Sequence, residues 1–157
     1  MASGITNVGK RRLLEMAFRN TQDSGSAPDA SPFFMALMTS AASLTSTVTV
    51  FSTATQIVTG NGYTDGGLAV NRDITDFDTN AVDGGETYGY IRIKDLVWTA
   101  SGGSLPASGG GAAYALLLDD NALVGSRIVL AWIDLTTGRS IGNGATLTLQ
   151  DIEIRIT

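Results

Sequence analysis

Between Tyr88 and Ile156 apolar residues recur with a period of two, a pattern that a helix cannot bury and that commits this half of the chain to strands. In Tyr88 to Thr99, Ile91 and Ile93 share one face and Arg92 and Lys94 the other, until the phase slips after Asp95 and sets Leu96 with Trp98. Such a slip reads as a β-bulge. Ala112 to Leu118 is apolar throughout and is expected at the centre of a sheet. Arg127 to Leu135 sets Val129 and Ala131 opposite Ile128, Leu130 and Trp132, and Thr136 to Arg139 has the composition of a turn. In Ala145 to Ile156, Leu147 and Leu149 are one residue out of phase with Ile152, Ile154 and Ile156, which places a bulge or a break near Gln150-Asp151.

The first half reads differently. From Asn7 to Asn20, Val8, Leu13 or Leu14, Ala17 and Phe18 fall near the spacing of one helical face, with Asn7 as the N-cap of a short amphipathic helix. Residues 21–31 have the composition of a flexible linker, so residues 1–31 form an arm and 32–157 one folded domain. Strands are expected at Phe33 to Thr39, Thr47 to Phe51 and Leu68 to Asn71, with loops at Ser40 to Ser46 and Gly60 to Gly67 and an acidic, turn-rich stretch from Asp73 to Glu86. Six to eight short strands with regular turns and no second helix predict an all-β fold, an antiparallel sandwich or jelly roll preceded by the helix.

Composition narrows the chemistry. The 157 residues include no Cys and no His, which removes thiolate zinc sites, disulfides, Cys nucleophiles and imidazole acid-base catalysis. Lys10 and Lys94 are the two lysines. A net charge of −5 argues against a general nucleic-acid or anionic-membrane surface. No apolar stretch approaches the roughly 20 residues that cross a bilayer as a helix. Glu15 breaks any apolar run after the basic cluster, so no secretory signal is expected and synthesis is assigned to a cytoplasm.

Three features could carry chemistry. Asp73, Asp76, Asp78, Asp83 and Glu86 crowd together, and Asp76-x-Asp78-x-Asn80 begins like a calcium loop, but Ala81 stands where an EF-hand needs Gly and Thr87 where it needs Glu. A solvated acidic loop is the expectation, with no metal or other cofactor. Asp119-Asp120-Asn121 and Asp134 read as turn and strand-end carboxylates, so no catalytic residue is assigned. Trp98 and Trp132 lie inside strands and are expected to be buried, which counts against a carbohydrate-binding face. The third feature is charge polarity. Lys10, Arg11, Arg12 and Arg19 less Glu15 give residues 1–20 a charge of +3 and leave −8 on the remainder. Either the helix packs on its own domain, or this basic arm docks on an acidic patch of another subunit. On the second reading Lys10, Arg11, Arg12, Leu14 and Phe18 are the subunit-contact residues.

At Asn7-Val-Gly-Lys-Arg-Arg-Leu-Leu-Glu-Met-Ala-Phe-Arg-Asn20, followed by Phe33-Phe-Met-Ala-Leu-Met-Thr39, the chain resembles small structural proteins of tailed bacteriophages. The likeness continues through Gly60 to Gly67, Trp98 to Gly103, Ala113 to Asp120 and Val129 to Leu135, in the same order over most of the chain. The resemblance implies a β-sandwich in the phage particle, at the capsid surface or in the tail. The expected function is that of a capsid decoration or cement protein, not an enzyme, bridging major capsid subunits and associating with itself as a dimer or trimer. A tail, baseplate or fibre-adaptor component is the alternative, and a carbohydrate-binding module the third reading.

Overall fold

A computed structural model describes residues 14, 17–19, 31–42, 44, 48, 50–85 and 88–156. Among them the fold is all-β, with antiparallel sheets and short 3-10 turns at Thr53–Thr55 and Val124–Ser126. Nine strands are described: β1 (Phe33–Met38), β2 (Leu68–Val70), β3 (Thr79–Val82), β4 (Gly89–Ile93), β5 (Leu96–Thr99), β6 (Ala112–Leu118), β7 (Val129–Arg139), β8 (Thr146–Leu149) and β9 (Ile152–Ile156). The helix expected over 7–20 lies mostly outside the described residues; Leu14, Ala17 and Phe18, which are described, have helical backbone.

The chain divides into two compact units, each drawn from separated stretches. One comprises residues 32–70 and 96–148 and contains the sheet ordered β2-β1-β6-β7. β1 and β6 run antiparallel at its centre, pairing Phe34 with Leu118 through Met38 with Tyr114. Both of their faces are buried, which is why these strands read as unbroken apolar runs: Met35, Leu37, Ala115 and Leu117 are sealed on one side and Ala36, Met38, Leu116 and Leu118 on the other. The second set packs with Ala42 and Phe51. The same unit holds the hairpin at Gly60 to Tyr63, closed by reciprocal backbone bonds of 2.9 and 3.0 Å. Its two central residues, Asn61 and Gly62, both have positive φ, as a two-residue hairpin turn requires.

The other unit comprises residues 1–31, 71–95 and 149–157 and contains the sheet β3-β4-β9. Within β4, Gly89, Ile91 and Ile93 are buried and Tyr90 and Arg92 half-buried, the alternation seen in the sequence.

Several expectations shift. The phase slip after Asp95 is not a bulge within one strand. β4 ends at Ile93, Lys94 turns to bond the backbone oxygen of Asp76, and β5 pairs with β8 in a different sheet. At Gln150-Asp151, where a bulge or a break was expected, the structure has the break, between β8 and β9, with Asp151 at φ 53°. Thr136 to Arg139 is not a turn: β7 continues to Arg139, which pairs with Ala112, and Thr136 at φ 65° takes up a register shift in the ladder. The acidic stretch contains a strand, β3, which forms because β4 offers it a ladder from Thr79–Arg92 to Val82–Gly89. Of the strand expected at Thr47 to Phe51, Thr47 and Thr49 lie outside the described residues, and Val50 makes an isolated bridge to Ile128.

Candidate functional site

The feature of the β-rich unit least explained by folding alone is the outer edge of β7. Among the described strands it pairs with β6 and comes last in the sheet order, and on the far side of its start Val50 bridges Ile128 and the Phe51 amide donates to the Arg127 carbonyl at 2.9 Å. Its register runs Tyr114–Asp134, Ala115–Ile133, Leu116–Trp132 and Leu117–Ala131, then shifts so that Leu118 meets Val129. The shift absorbs one residue, and Leu130 and Trp132, two apart, share a face. Both are largely open to solvent, Leu130 at 44% and Trp132 at 45%. Next to them Ile128 and its bridge partner Val50 are each 50% exposed.

An apolar hollow of about 380 Å³ adjoins this edge, lined by Met38, Ala42, Leu44, Val48, Val50 and Leu116 among others. Leu116 is the register partner of Trp132, so the indole stands on the same sheet face as the hollow. The expectation that both tryptophans are buried is therefore half right: Trp98 is 1% exposed, whereas Trp132 is open. The pattern misled because β7 is apolar on both faces, as a central strand would be, although it lies at an edge.

The edge is anchored from below by Arg127. Its guanidinium lies 3.4 Å from the centroid of the Phe34 ring, Nη1 donates to the Gly66 carbonyl at 3.1 Å, and Nε donates to the Asn121 carbonyl at 3.1 Å. Burial lowers its pKa, while the carboxylates of Asp119 and Asp65 act in the opposite sense. Gln56 completes the floor by donating to Asp65 at 2.7 Å and accepting from the Gly66 amide at 2.9 Å.

Of the residues assigned to subunit contact, Lys10, Arg11 and Arg12 lie outside the described residues. Leu14 is buried. Phe18 packs on Phe77 with ring centroids 5.2 Å apart, and the neighbouring Arg19 donates to the Phe77 carbonyl at 2.7 Å. Arg72 reaches the Ala17 carbonyl at 2.8 Å.

In the acidic stretch the carboxylates hold the chain's own backbone. Asp73 accepts from the amides of Thr75 and Asp76, each at 2.8 Å. Asp83 accepts from Gly85 and Tyr88. Asp76, buried, takes the Asn71 amide at 2.7 Å and the ammonium of Lys94. Glu86 lies outside the described residues. Asp119 accepts from the Ile128 amide at 2.9 Å and Asp134 from the Thr136 amide at 2.7 Å, both as local turn and strand-end partners. Among the described residues no three His, Cys, Asp or Glu side chains gather as a metal site would require, and no helix is long and apolar enough to cross a membrane.

On the sheet β3-β4-β9, Tyr90 is opposite Arg155 and Arg92 opposite Glu153. Glu153 pairs with both arginines, at 3.4 Å to Arg92 and 3.0 Å to Arg155, and Arg155 lies 5.0 Å from the Tyr88 ring. These charges pair with one another, although Arg92 Nε is buried without a hydrogen-bond partner, and β7 is the better candidate. No protein-family model, no curated protein and no solved structure matches this chain.

Proposed function

We propose that this chain is a structural protein of a tailed-phage particle that acts through contact surface, as a decoration or cement protein bridging major capsid subunits. In this reading the antiparallel sheets form a sandwich, the chain is made in the host cytoplasm, and it ends on the capsid surface with other copies of itself. The observation that carries the reading is the cluster of half-exposed apolar side chains along β7, set on a scaffold whose sequence lacks imidazole and thiol groups. Large exposed apolar patches on otherwise polar surfaces mark contact sites. The +3 charge on residues 1–20 supports a second contact, through Lys10, Arg11 and Arg12, with an acidic patch on a neighbouring subunit. Weak single contacts become a firm attachment when many copies bind one lattice.

Imaging of purified particles at chain-tracing resolution tests this reading. Hundreds of copies on the shell support decoration, a ring of six or twelve supports a tail or baseplate component, and absence from particles refutes both. Reversing the charge of Lys10, Arg11 and Arg12 together is expected to weaken attachment. Removing residues 1–20 is a poorer test, because Leu14 and Phe18 are packed within their own unit. One observation favours a second reading: the exposed indole of Trp132 is the kind of side chain on which a sugar ring stacks. Glycan-array binding that is lost in Trp132→Ala would favour it.

A further inference from the structure

We infer that Lys94 and Asp76 become joined by an intramolecular isopeptide bond, which forms without an enzyme once the unit that contains them has folded. The ammonium of Lys94 rests on Oδ1 of Asp76, 18 residues earlier, and both belong to the 71–95 stretch of one compact unit. The pair is fixed by its backbone as well as by its tips. The Lys94 amide donates to the Asp76 carbonyl at 2.8 Å, the Asp76 amide donates to Oδ1 of Asp73 at 2.8 Å, and the Phe77 amide donates to the Asp73 carbonyl at 3.0 Å. An amine held against a carboxyl group in a fixed geometry reacts as if its concentration were on the order of 10⁵–10⁸ M.

Three features set this contact apart from a surface ion pair such as Arg92 with Asp151. The Asp76 side chain is buried, and the residues next to the two partners in the chain, Phe77 and Ile93, are sealed from solvent. A carboxylate at that depth has lost its water, and conversion to a neutral amide removes the desolvated charge. The second oxygen, Oδ2, accepts from the Asn71 amide at 2.7 Å. That N–H stands where negative charge gathers when the amine adds to Cγ, as an oxyanion donor does. Lys94 is partly open to solvent, which gives the released water a way out.

The step balances within the pair. Nζ attacks Cγ, the Nζ–Cγ bond forms and the Cγ–Oδ1 bond breaks. The ammonium brings three protons and the amide keeps one, so the other two pass to Oδ1, which leaves as water. Oδ2 becomes the amide oxygen and retains Asn71 as its donor. No oxidant, activated carrier or metal enters the balance. A chain without Cys has no disulfide to close its loops, and this bond closes the 76–94 loop in the same sense, independently of redox conditions. The inference goes beyond the function proposed above and holds or fails apart from it.

Intact mass spectrometry of the purified full-length chain tests it. The denatured wild type is expected to be lighter than its sequence by one water, about 18 Da, after allowance for the initiator Met. Lys94→Arg keeps the cation and Asp76→Ala removes the carboxyl group, and each should show its full mass. Trypsin should fail to cut after Lys94 in the wild type, so that fragment 73–92 appears joined to fragment 93–127 as one species, with the link located at Asp76 and Lys94 by fragmentation. Three results would overturn the inference: a wild-type chain of full mass after prolonged incubation of the folded protein at neutral pH, normal cleavage after Lys94, or a water lost without joined fragments. The last would mark a succinimide at Asp65-Gly66 or Asp83-Gly84 instead.

Discussion

The guanidinium of Arg127 is stacked on the Phe34 ring, 3.4 Å from its centroid, and from that position it bonds the carbonyls of Gly66 and Asn121. One side chain thereby ties the start of β1, the loop before β2 and the approach to β7. Arg127→Ala is expected to lower unfolding stability by about 3 kcal/mol, from two lost charge-assisted bonds and the stacked contact. Arg127→Lys keeps the charge but loses the planar fork, and is expected to recover less than half of that. Urea unfolding followed by circular dichroism measures both.

Gly67 has φ +87°, and a Cβ placed there would lie 2.0 Å from the Met35 carbonyl oxygen, where β2 and β1 come together. Neither the conformation nor the space admits a side chain. Gly67→Ala is expected to cost at least about 3 kcal/mol or to prevent folding. Gly84→Ala, with nothing within 4 Å, should change stability by less than about 0.5 kcal/mol. Equal thermal midpoints for the two variants would contradict this.

Tyr63 puts a buried hydroxyl beside β1, accepting from the Leu37 amide at 2.9 Å. Burial raises its pKa, the Leu37 bond opposes the rise, and Asp65 adds to it. A folded state that holds this proton more tightly than the unfolded chain is stabilised fully below the unfolded tyrosine value of about 10, and loses that stability as pH climbs above it. Urea midpoints of the wild type should therefore fall above about pH 10. Tyr63→Phe should be about 1–2 kcal/mol less stable at neutral pH, because the Leu37 amide loses its partner, yet show a weaker alkaline decline.

How much of this was legible in the sequence depended on whether the information was local. Ala112 to Leu118 announced a central strand because burial on both faces makes every residue apolar, and the alternation of Ile91 and Ile93 with Arg92 gave β4 its buried side. The two phase slips were visible too, but a slip of one residue is the same whether a strand bulges or the chain leaves for another sheet. The exposure of Trp132 was hidden for a related reason. Whether an apolar strand is central or at an edge depends on which strands flank it, and pairing between distant segments decides that. The grip of Arg127 on Phe34 and Gly66 left no mark, since its partners lie far away along the chain. The acidic stretch read only as a solvated loop, because the backbone amides that the turns bring to Asp73 and Asp83 leave no pattern in the spacing of the carboxylates.

Asn80 on β3 stands opposite Ile91, and neither its amide nitrogen nor its oxygen has a partner although both are buried. A polar group desolvated without compensation is a net cost. Asn80→Val is expected to raise stability by about 1 kcal/mol, aided by the preference of branched residues for strands. A fall in the urea midpoint would show that the amide has a role that the fold does not explain.

The central strand β4 hydrogen-bonds to β3 just before it and to β9, whose residues 152–156 are separated from it by the whole of 96–148. On the ribosome, β4 therefore emerges with one edge open and must wait while β5 to β8 are synthesised. During that interval the β1-β6-β7 ladder can assemble first, leaving the three-stranded sheet to close last. Unit closure is thus set by the order of synthesis, and an interruption of translation before residue 152 would leave a chain with one sheet built and the other missing its third strand.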